Sequence, residues 1–121
     1  MTREDFLAFC EGLEGAVCDQ PFMPGDGTFV ARHERSRKWF AVLMNLEGRD
    51  FVNLKAEPGQ AALMRSLFTG VRPGYHMNKD HWISVDLMGD VPDEIIQNLT
   101  RDSHALTAPA LKRVKAHRDL P

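Results

Sequence analysis

Cysteine is scarce in this sequence, since the chain of 121 residues has only Cys10 and Cys18. Their spacing fits no metal or redox motif, so we expect two reduced thiols, with a disulfide between them as the less favoured alternative. Long apolar runs are also lacking, because none approaches the roughly 20 residues that span a bilayer. The first residues lack the apolar core of a signal peptide. These absences predict a cytoplasmic protein without a membrane span.

An excess of positive charge is missing as well. The chain has 15 Lys and Arg against 17 Asp and Glu, a net charge of −2, so it has no bulk attraction to nucleic acid. The cations are nevertheless unevenly spread, and residues 32–38 and 112–119 each hold four basic side chains against one acid. Short runs of this kind are usually solvated turns or helix ends. A local site for a polyanion stays open as the second interpretation.

The sequence also lacks the common catalytic patterns. It has no Gly-rich phosphate loop, nucleophile elbow or His-Glu-x-x-His motif, so we predict no catalytic residue and no cofactor, and an enzyme is disfavoured. Hydrophobic residues make up 43% of the chain and charged residues 26%, as in an ordinary globular protein. Residues 1–121 are therefore predicted to form a single domain.

Periodicity and turn residues predict an α+β fold with an antiparallel β-sheet flanked by helices, in the order α-β-β-β-α-β-α-α. Thr2 and Asp5 suit the cap of a first helix, and residues 82–87 alternate as in a half-buried strand. The predicted helices cover residues 3–11, 58 to a stop at Gly70, 92 to a break at Asp102 or Ser103, and 108–117. The predicted strands cover residues 28–31, 38–44, 51–55 and 81–87, with loops at 14–27 and 72–80. The residues predicted to lie in the sheet include Phe40, Val42, Val52, Leu54, Ile83 and Val85.

Residues 72–82, which read RPGYHMNKDHW, are the most informative stretch. They combine cationic donors with flat stacking surfaces beside a Pro-Gly turn, a mixture typical of a surface that faces a ligand, a partner or a nucleic acid. The candidate binding residues are Arg72, Tyr75, His76, Asn78, Lys79, His81 and Trp82, together with Lys55, Arg35 and Arg37.

These residues allow more than one role. Arg72, Lys79, His76 and Lys55 could contact phosphate while Tyr75 and Trp82 stack on bases. Trp82 is more often a packing residue, however, and Pro73-Gly74 is a turn that orders the loop. Asn53 and Asn78 could hydrogen-bond the loop backbone, in which case an ordered loop would produce the same motif without a ligand. A zinc site at His76 and His81 would need a third ligand, such as Asp80 or His33, and we predict no metal.

Several segments, in order, resemble the MmcQ/YjbR family of small bacterial proteins. The matching segments are GLEGAVCDQPF, KWFAVL, VNLKAEP, VRPGYHMNKDHW and VPDEIIQNLTRDSHAL. The resemblance extends to about residue 106, and the fourth segment is the most specific. Ser103-His104 departs from the Ser-Tyr pair that is common in the family. The resemblance implies a fold similar to that of the bacterial frataxin homologue CyaY and the "double wing" DNA-binding label, but fold alone does not imply iron chemistry.

Two hypotheses follow. The first is a DNA-binding module that uses the loop at residues 72–82 and the turn at residues 32–38. For it we expect that changing Arg72 and Lys79 to Glu abolishes binding and leaves the fold intact. The second is a small-ligand or protein-binding domain with a pocket that includes His76, Lys79 and Trp82. DNA needs the basic segments on one continuous face, whereas a ligand needs a concave site. The oligomeric state is not predicted.

Overall fold

The chain has a mixed α+β fold. A computed structural model describes residues 1–23 and 25–109, and within them three helices accompany a six-stranded antiparallel sheet. The elements are α1 (Arg3–Glu11), β1 (Ala16–Asp19), β2 (Phe29–His33), β3 (Trp39–Leu46), β4 (Arg49–Lys55), α2 (Pro58–Leu67), β5 (Val71–Pro73), β6 (Trp82–Asp86) and α3 (Asp93–Leu106). The predicted fold class is confirmed.

The strands lie in the order β1-β2-β3-β4-β6-β5, and every neighbouring pair is antiparallel. Because side chains alternate between the faces of a sheet, cross-strand partners share a face. One apolar row consists of Phe29, Leu43, Val52, Val85 and Val71. The row beside it, on the opposite face, consists of Asp19, Val30, Val42, Asn53, Ser84 and Arg72. The six residues predicted to lie in the sheet all lie in strands.

The helices pack against the apolar face. Phe6 and Cys10 of α1 and Ile96 and Leu99 of α3 join the sheet residues in one buried cluster. Each large apolar side chain buried there contributes about 1.5–3 kcal/mol relative to exposure. The other face, which carries the row from Asp19 to Arg72, is called the second face below. The predicted motif at residues 72–82 makes its hydrogen bonds to the sheet on this second face.

The predicted starts of the first three helices are confirmed. Thr2 accepts a hydrogen bond from the Asp5 backbone N–H at 3.0 Å, and Asp5 accepts one from the Thr2 backbone N–H, which completes a capping box. Pro58 lies in the first turn of α2, where its missing N–H costs nothing. α2 ends at Leu67, before Gly70. A Cβ on Gly70 would lie 2.9 Å from Asp90 Oδ1, so this glycine allows a close approach.

Two strands lie where the sequence predicted loops. β1 falls inside the predicted loop at residues 14–27, and β5 overlaps the first two residues of the predicted loop at residues 72–80. Both are short edge strands of four and three residues, too short for alternation to reveal. β1 and β5 form because they pair with β2 and β6. Such pairing is a tertiary interaction, which the local propensity of a segment does not reveal.

The predicted helix break at Asp102 or Ser103 is wrong, because α3 continues to Leu106. Ser103 Oγ donates to Phe40 O and accepts from Lys55 N at 2.8 Å, so its hydroxyl is used by the sheet and does not compete with the helix backbone. The predicted final helix at residues 108–117 lies outside the described residues from residue 110 onward.

The strand predicted to be half-buried is covered on both faces. Ser84 and Asp86 lie on the second face, yet Ser84 is 1% exposed and Asp86 9% exposed. In the part of the chain that is described, no helix is long and apolar enough to cross a membrane.

Candidate functional site

Residues 74–81, called the motif loop below, fold back onto the second face of the sheet. Asn53 Nδ2 donates to Tyr75 O at 2.9 Å, and Tyr75 N donates to Ser84 Oγ at 2.9 Å. Ser84 Oγ in turn donates to Asn53 Oδ1. Asn53 and Ser84 are both buried, so their polar groups need these partners. Both backbone groups of Tyr75 are therefore tied to the sheet.

Gly74 fixes the entry to the motif loop. Its N–H donates to Trp82 O at 2.9 Å, and a Cβ at this position would lie 2.7 Å from Trp82 Cβ and 2.9 Å from Trp82 O. No side chain fits so close to backbone atoms. The Gly74 carbonyl accepts a hydrogen bond from Lys79 Nζ, so Lys79 closes its own loop.

The rest of the motif loop is ordered by its own residues. Asn78 Oδ1 accepts from Asp80 N at 2.9 Å, and Asn78 O accepts from Trp82 N at 3.0 Å. This is the turn chemistry for which Asn is favoured. His76 has a positive φ of 57°, which turns the chain sharply after Tyr75. The motif loop is thus the ordered loop that the sequence left open as an alternative.

Arg72 also has a partner inside the fold. Its guanidinium lies 2.9 Å from Asp86 Oδ2 and 5.8 Å from the centre of the Phe51 ring. The Asp86 side chain is only 12% exposed, and its other oxygen lies 4.0 Å from Arg49 Nε, too far for a hydrogen bond. Arg72 therefore balances a mostly buried carboxylate, and neither Arg72 nor Lys79 is free to contact phosphate without giving up an intramolecular contact.

The remaining predicted cations gather at one end of the sheet. The turn between β2 and β3, which carries Arg35 and Arg37, is at the same end as Lys55 and the motif loop. Arg37 lies 3.4 Å from Asp19, whereas no ion pair is found for Arg35 or Lys55 among residues 1–23 and 25–109. His81 is exposed at this end as well. No three His, Cys, Asp or Glu residues of the described chain form a metal-binding group.

A groove opens on the second face beside the motif loop, with a volume of about 340 Å³. We call it the aromatic groove. Its floor is formed by Val42, Met44 and Asn53. One wall is formed by Phe22, Asp26, Thr28 and Trp39, and the other by Tyr75, His76 and Met77.

The rings of the aromatic groove are paired within each wall. Phe22 and Trp39 meet edge to face with centroids 5.9 Å apart, and Tyr75 and His76 do so at 4.1 Å. Tyr75 also packs edge to face on Phe51 at 5.6 Å. Of the ten lining residues among those described, the sequence singled out Tyr75 and His76 as candidate binders and Asn53 as a support for the loop. The alternation of β3, which sends Val42 and Met44 to the face of Asn53, was the signal that could have found part of the floor.

A larger cavity, about 420 Å³, is lined by Glu14, Gly15, His33, Glu34, Arg35 and Pro109. Pro109 is the last described residue, so the outline of this cavity is incomplete and we assign no site to it.

Similar proteins come from several bacteria. The chain is 33% identical to the uncharacterized protein YyaQ of Bacillus subtilis (strain 168) over 117 residues, which cover 88% of this chain and 98% of that protein. It is 42% identical to the uncharacterized protein YjbR of Escherichia coli (strain K12) over 65 residues, 54% of this chain and 55% of that one.

Solved structures share the fold. A crystal structure of a Pseudomonas syringae protein matches with a TM-score of 0.79 at 32% identity, covering 88% of this chain and 99% of that one. The Deinococcus radiodurans protein DR2400 also gives a TM-score of 0.79, at 28% identity over 90% of this chain and 80% of that one. The model of the YjbR family matches residues 11–106. This chain therefore belongs to the YjbR family.

Proposed function

We propose that this protein is a binding protein that takes a small organic ligand in the aromatic groove. The observation that carries the proposal is the fixed position of Tyr75, whose backbone N–H and C=O are both held by the buried Asn53–Ser84 pair. A wall held in place before binding reduces the ordering cost of binding. The strongest sequence motif thus serves to present Tyr75, His76 and Met77 on one side of a groove.

The size and lining of the aromatic groove suit a ligand. Its volume of about 340 Å³ lies within the range of roughly 300–1,000 Å³ that ligand pockets occupy. Apolar and aromatic side chains dominate the lining, and Asn53, Thr28, Asp26 and His76 add a few polar groups, as in known binding sites. Phe22 on the rim is 53% exposed, which leaves an apolar ring available to a ligand.

Fragment screening by NMR on isotope-labelled protein tests the proposal. Planar fragments should shift the amide signals of Trp39, Val42 and Tyr75 together. Tyr75→Ala keeps the backbone hydrogen bonds of residue 75 and removes one ring, so it should weaken binding by about three- to tenfold, since one aromatic contact contributes on the order of 1 kcal/mol. Met88→Ala, at an exposed site that is not part of the lining, is the matched control. Equal binding by Tyr75→Ala, or no fragment that shifts these signals, would reject the proposal.

DNA is the second candidate ligand, and the observation that favours it is the cationic end of the sheet. Arg35, Lys38 and Lys55 lie there with no ion-pair partner among the described residues. With a net charge of −2, binding should be weak and steeply salt-dependent, in the range of about 10⁻⁴–10⁻⁶ M for non-specific contacts. Whether the ligand is a small organic molecule or DNA, we propose that the protein binds it in the cytoplasm.

Fluorescence anisotropy with a short duplex at low salt tests DNA binding. A triple variant, Arg35→Ala, Lys38→Ala and Lys55→Ala, should lose binding, because it removes three cations of this surface without breaking an ion pair between described residues. Arg65→Gln, in the last turn of α2 and without an ion pair among the described residues, controls for the loss of one positive charge. If the unchanged protein does not bind, or the triple variant binds as well, DNA is excluded as the ligand of this surface.

A further inference from the structure

We infer that the ligand of the aromatic groove is an organic cation, an inference that rests on the proposed function and specifies its ligand. Among the described residues, no Lys or Arg lines the groove, and Asp26 is its one carboxylate. Asp26 Oδ1 accepts a hydrogen bond from Thr28 N at 2.8 Å, and no described cation lies within ion-pair distance of it. Asp26 therefore gives the described part of the lining a negative charge that no described ion pair offsets.

The guanidiniums around the groove pair with carboxylates that lie outside its lining. Arg32 lies 2.8 Å from Asp19, and Arg3 lies 3.0 Å from Asp50. On the other side, Arg72 lies 2.9 Å from Asp86. Asp19 and Asp86 each have a second guanidinium partner, Arg37 at 3.4 Å and Arg49 at 4.0 Å. None of these arginines belongs to the described lining, whose one carboxylate is Asp26.

One aromatic ring of the groove already accepts a cation on its face. The guanidinium carbon of Arg32 lies 5.9 Å from the centre of the Trp39 ring. This distance falls within the roughly 6 Å over which a cation is attracted to an aromatic face. Phe22, Trp39 and Tyr75 present further ring surface to the groove. Aromatic walls with one carboxylate are the combination that binds ammonium groups carrying an apolar body.

The test uses three probes with the same indole body and differently charged tails: tryptamine (cation), tryptophol (neutral) and indole-3-propionate (anion). Each is titrated into isotope-labelled protein at neutral pH and low salt, and affinity is read from the shifts of groove amides. Tryptamine should bind about three- to fivefold more tightly than tryptophol, the ratio expected for one exposed charge pair, and indole-3-propionate should bind most weakly.

The Asp26→Asn variant should reduce the ratio of tryptamine to tryptophol affinity to about one, since Asn can still accept the hydrogen bond from Thr28 N but carries no charge. Glu94→Gln, in the first turn of α3, controls for the lost charge alone. If all three probes bind equally, or Asp26→Asn has no effect, the cation inference is wrong while groove binding stands. Tightest binding of the anion would also overturn the inference. If no probe shifts the groove signals, both the inference and the proposed function fail.

Discussion

At the scale of single residues, most members of the motif at residues 72–82 contact the backbone of their own loop or of the sheet. Gly74 is required by the approach of the Trp82 backbone, Asn78 forms a turn, and Lys79 binds the carbonyl of Gly74. What these residues hold in place are Tyr75 and His76, whose rings point to the groove. A residue type that is unusual in sequence can therefore support a site without contacting its ligand.

Replacing Gly74 by Ala should destabilise the fold by about 1–3 kcal/mol, the usual cost of forcing extra atoms into packed surroundings. The new Cβ would meet the Cβ and carbonyl of Trp82 at 2.7 and 2.9 Å, and backbone atoms cannot rotate away. Gly59→Ala is the matched control, because its Cβ would meet nothing within 4 Å and it lies in α2. Urea unfolding should show a loss of stability for Gly74→Ala only. Equal stability of the two variants would contradict the packing argument.

The two thiols should both be reduced but slow to react in the folded protein. Burial, aided by the charges of Glu11 and Asp19, raises the pKa of Cys18 to about 11, and burial raises the pKa of Cys10 still further. At pH 8 only about one Cys18 in a thousand is then a thiolate, the reactive form. Thiol titration should find two free groups in denaturant and very slow alkylation without it. Fewer than two free groups in denaturant would contradict the predicted reduced state.

At the scale of elements, β5 and β6 are joined across the second face by the Arg72–Asp86 pair as well as by backbone hydrogen bonds. This pair changes the outcome expected for the variant suggested by the sequence, Arg72→Glu with Lys79→Glu. Loss of DNA binding by that variant could not be assigned to lost phosphate contacts, because both side chains have partners in the fold.

Arg72→Glu alone should lower the free energy of unfolding by about 1–3 kcal/mol, since it removes the nearer of the two guanidiniums beside the mostly buried Asp86 carboxylate and places a second carboxylate there. Arg35→Glu, in the exposed turn between β2 and β3, should change stability by no more than about 0.5 kcal/mol. Thermal and urea unfolding of the two variants would measure the difference. Equal stabilities would show that the Arg72–Asp86 pair contributes nothing to the fold.

At the scale of the whole molecule, Arg3 links three parts that are distant in sequence. Its guanidinium lies 3.0 Å from Asp50 of β4 and donates to Gly27 O at 2.8 Å, so α1, the sheet and the wall containing Asp26 are tied together. Burial disfavours ionisation of Asp50, but hydrogen bonds from Asn45 and Arg3 and the charge of Arg3 outweigh it and lower its pKa.

The stability that the Arg3–Asp50 link contributes should be lost at acid pH. Because the pKa of Asp50 is lower in the folded protein than the unfolded value of about 3.9, the contribution is present above that value and is lost as the pH falls below it. The difference in unfolding free energy between the unchanged protein and Asp50→Asn should therefore be largest near pH 6 and shrink below about pH 4. A difference that stays constant between pH 6 and pH 3 would contradict the assignment.

The fold class, the starts of the helices and the central strands could be predicted because each has a local cause. Thr2 and Asp5 cap α1 through neighbouring atoms, and Pro58 suits a first turn whatever lies around it. The edge strands and the end of α3 could not be predicted, since β1 and β5 exist through their partners and Ser103 is bound by Phe40 and Lys55.

The sequence by itself determined the starts of the first three helices, the central strands and the presence of an unusual motif of the YjbR family. Only the tertiary structure decided what that motif does, because the roles of its side chains depend on distant partners. Asn53 and Ser84 bring Tyr75 over the sheet, Asp86 occupies Arg72, and Trp39 with Phe22 supplies the opposite wall. Hydrogen bonds and ion pairs act over a few ångströms in space, and separation along the chain does not specify which groups come that close.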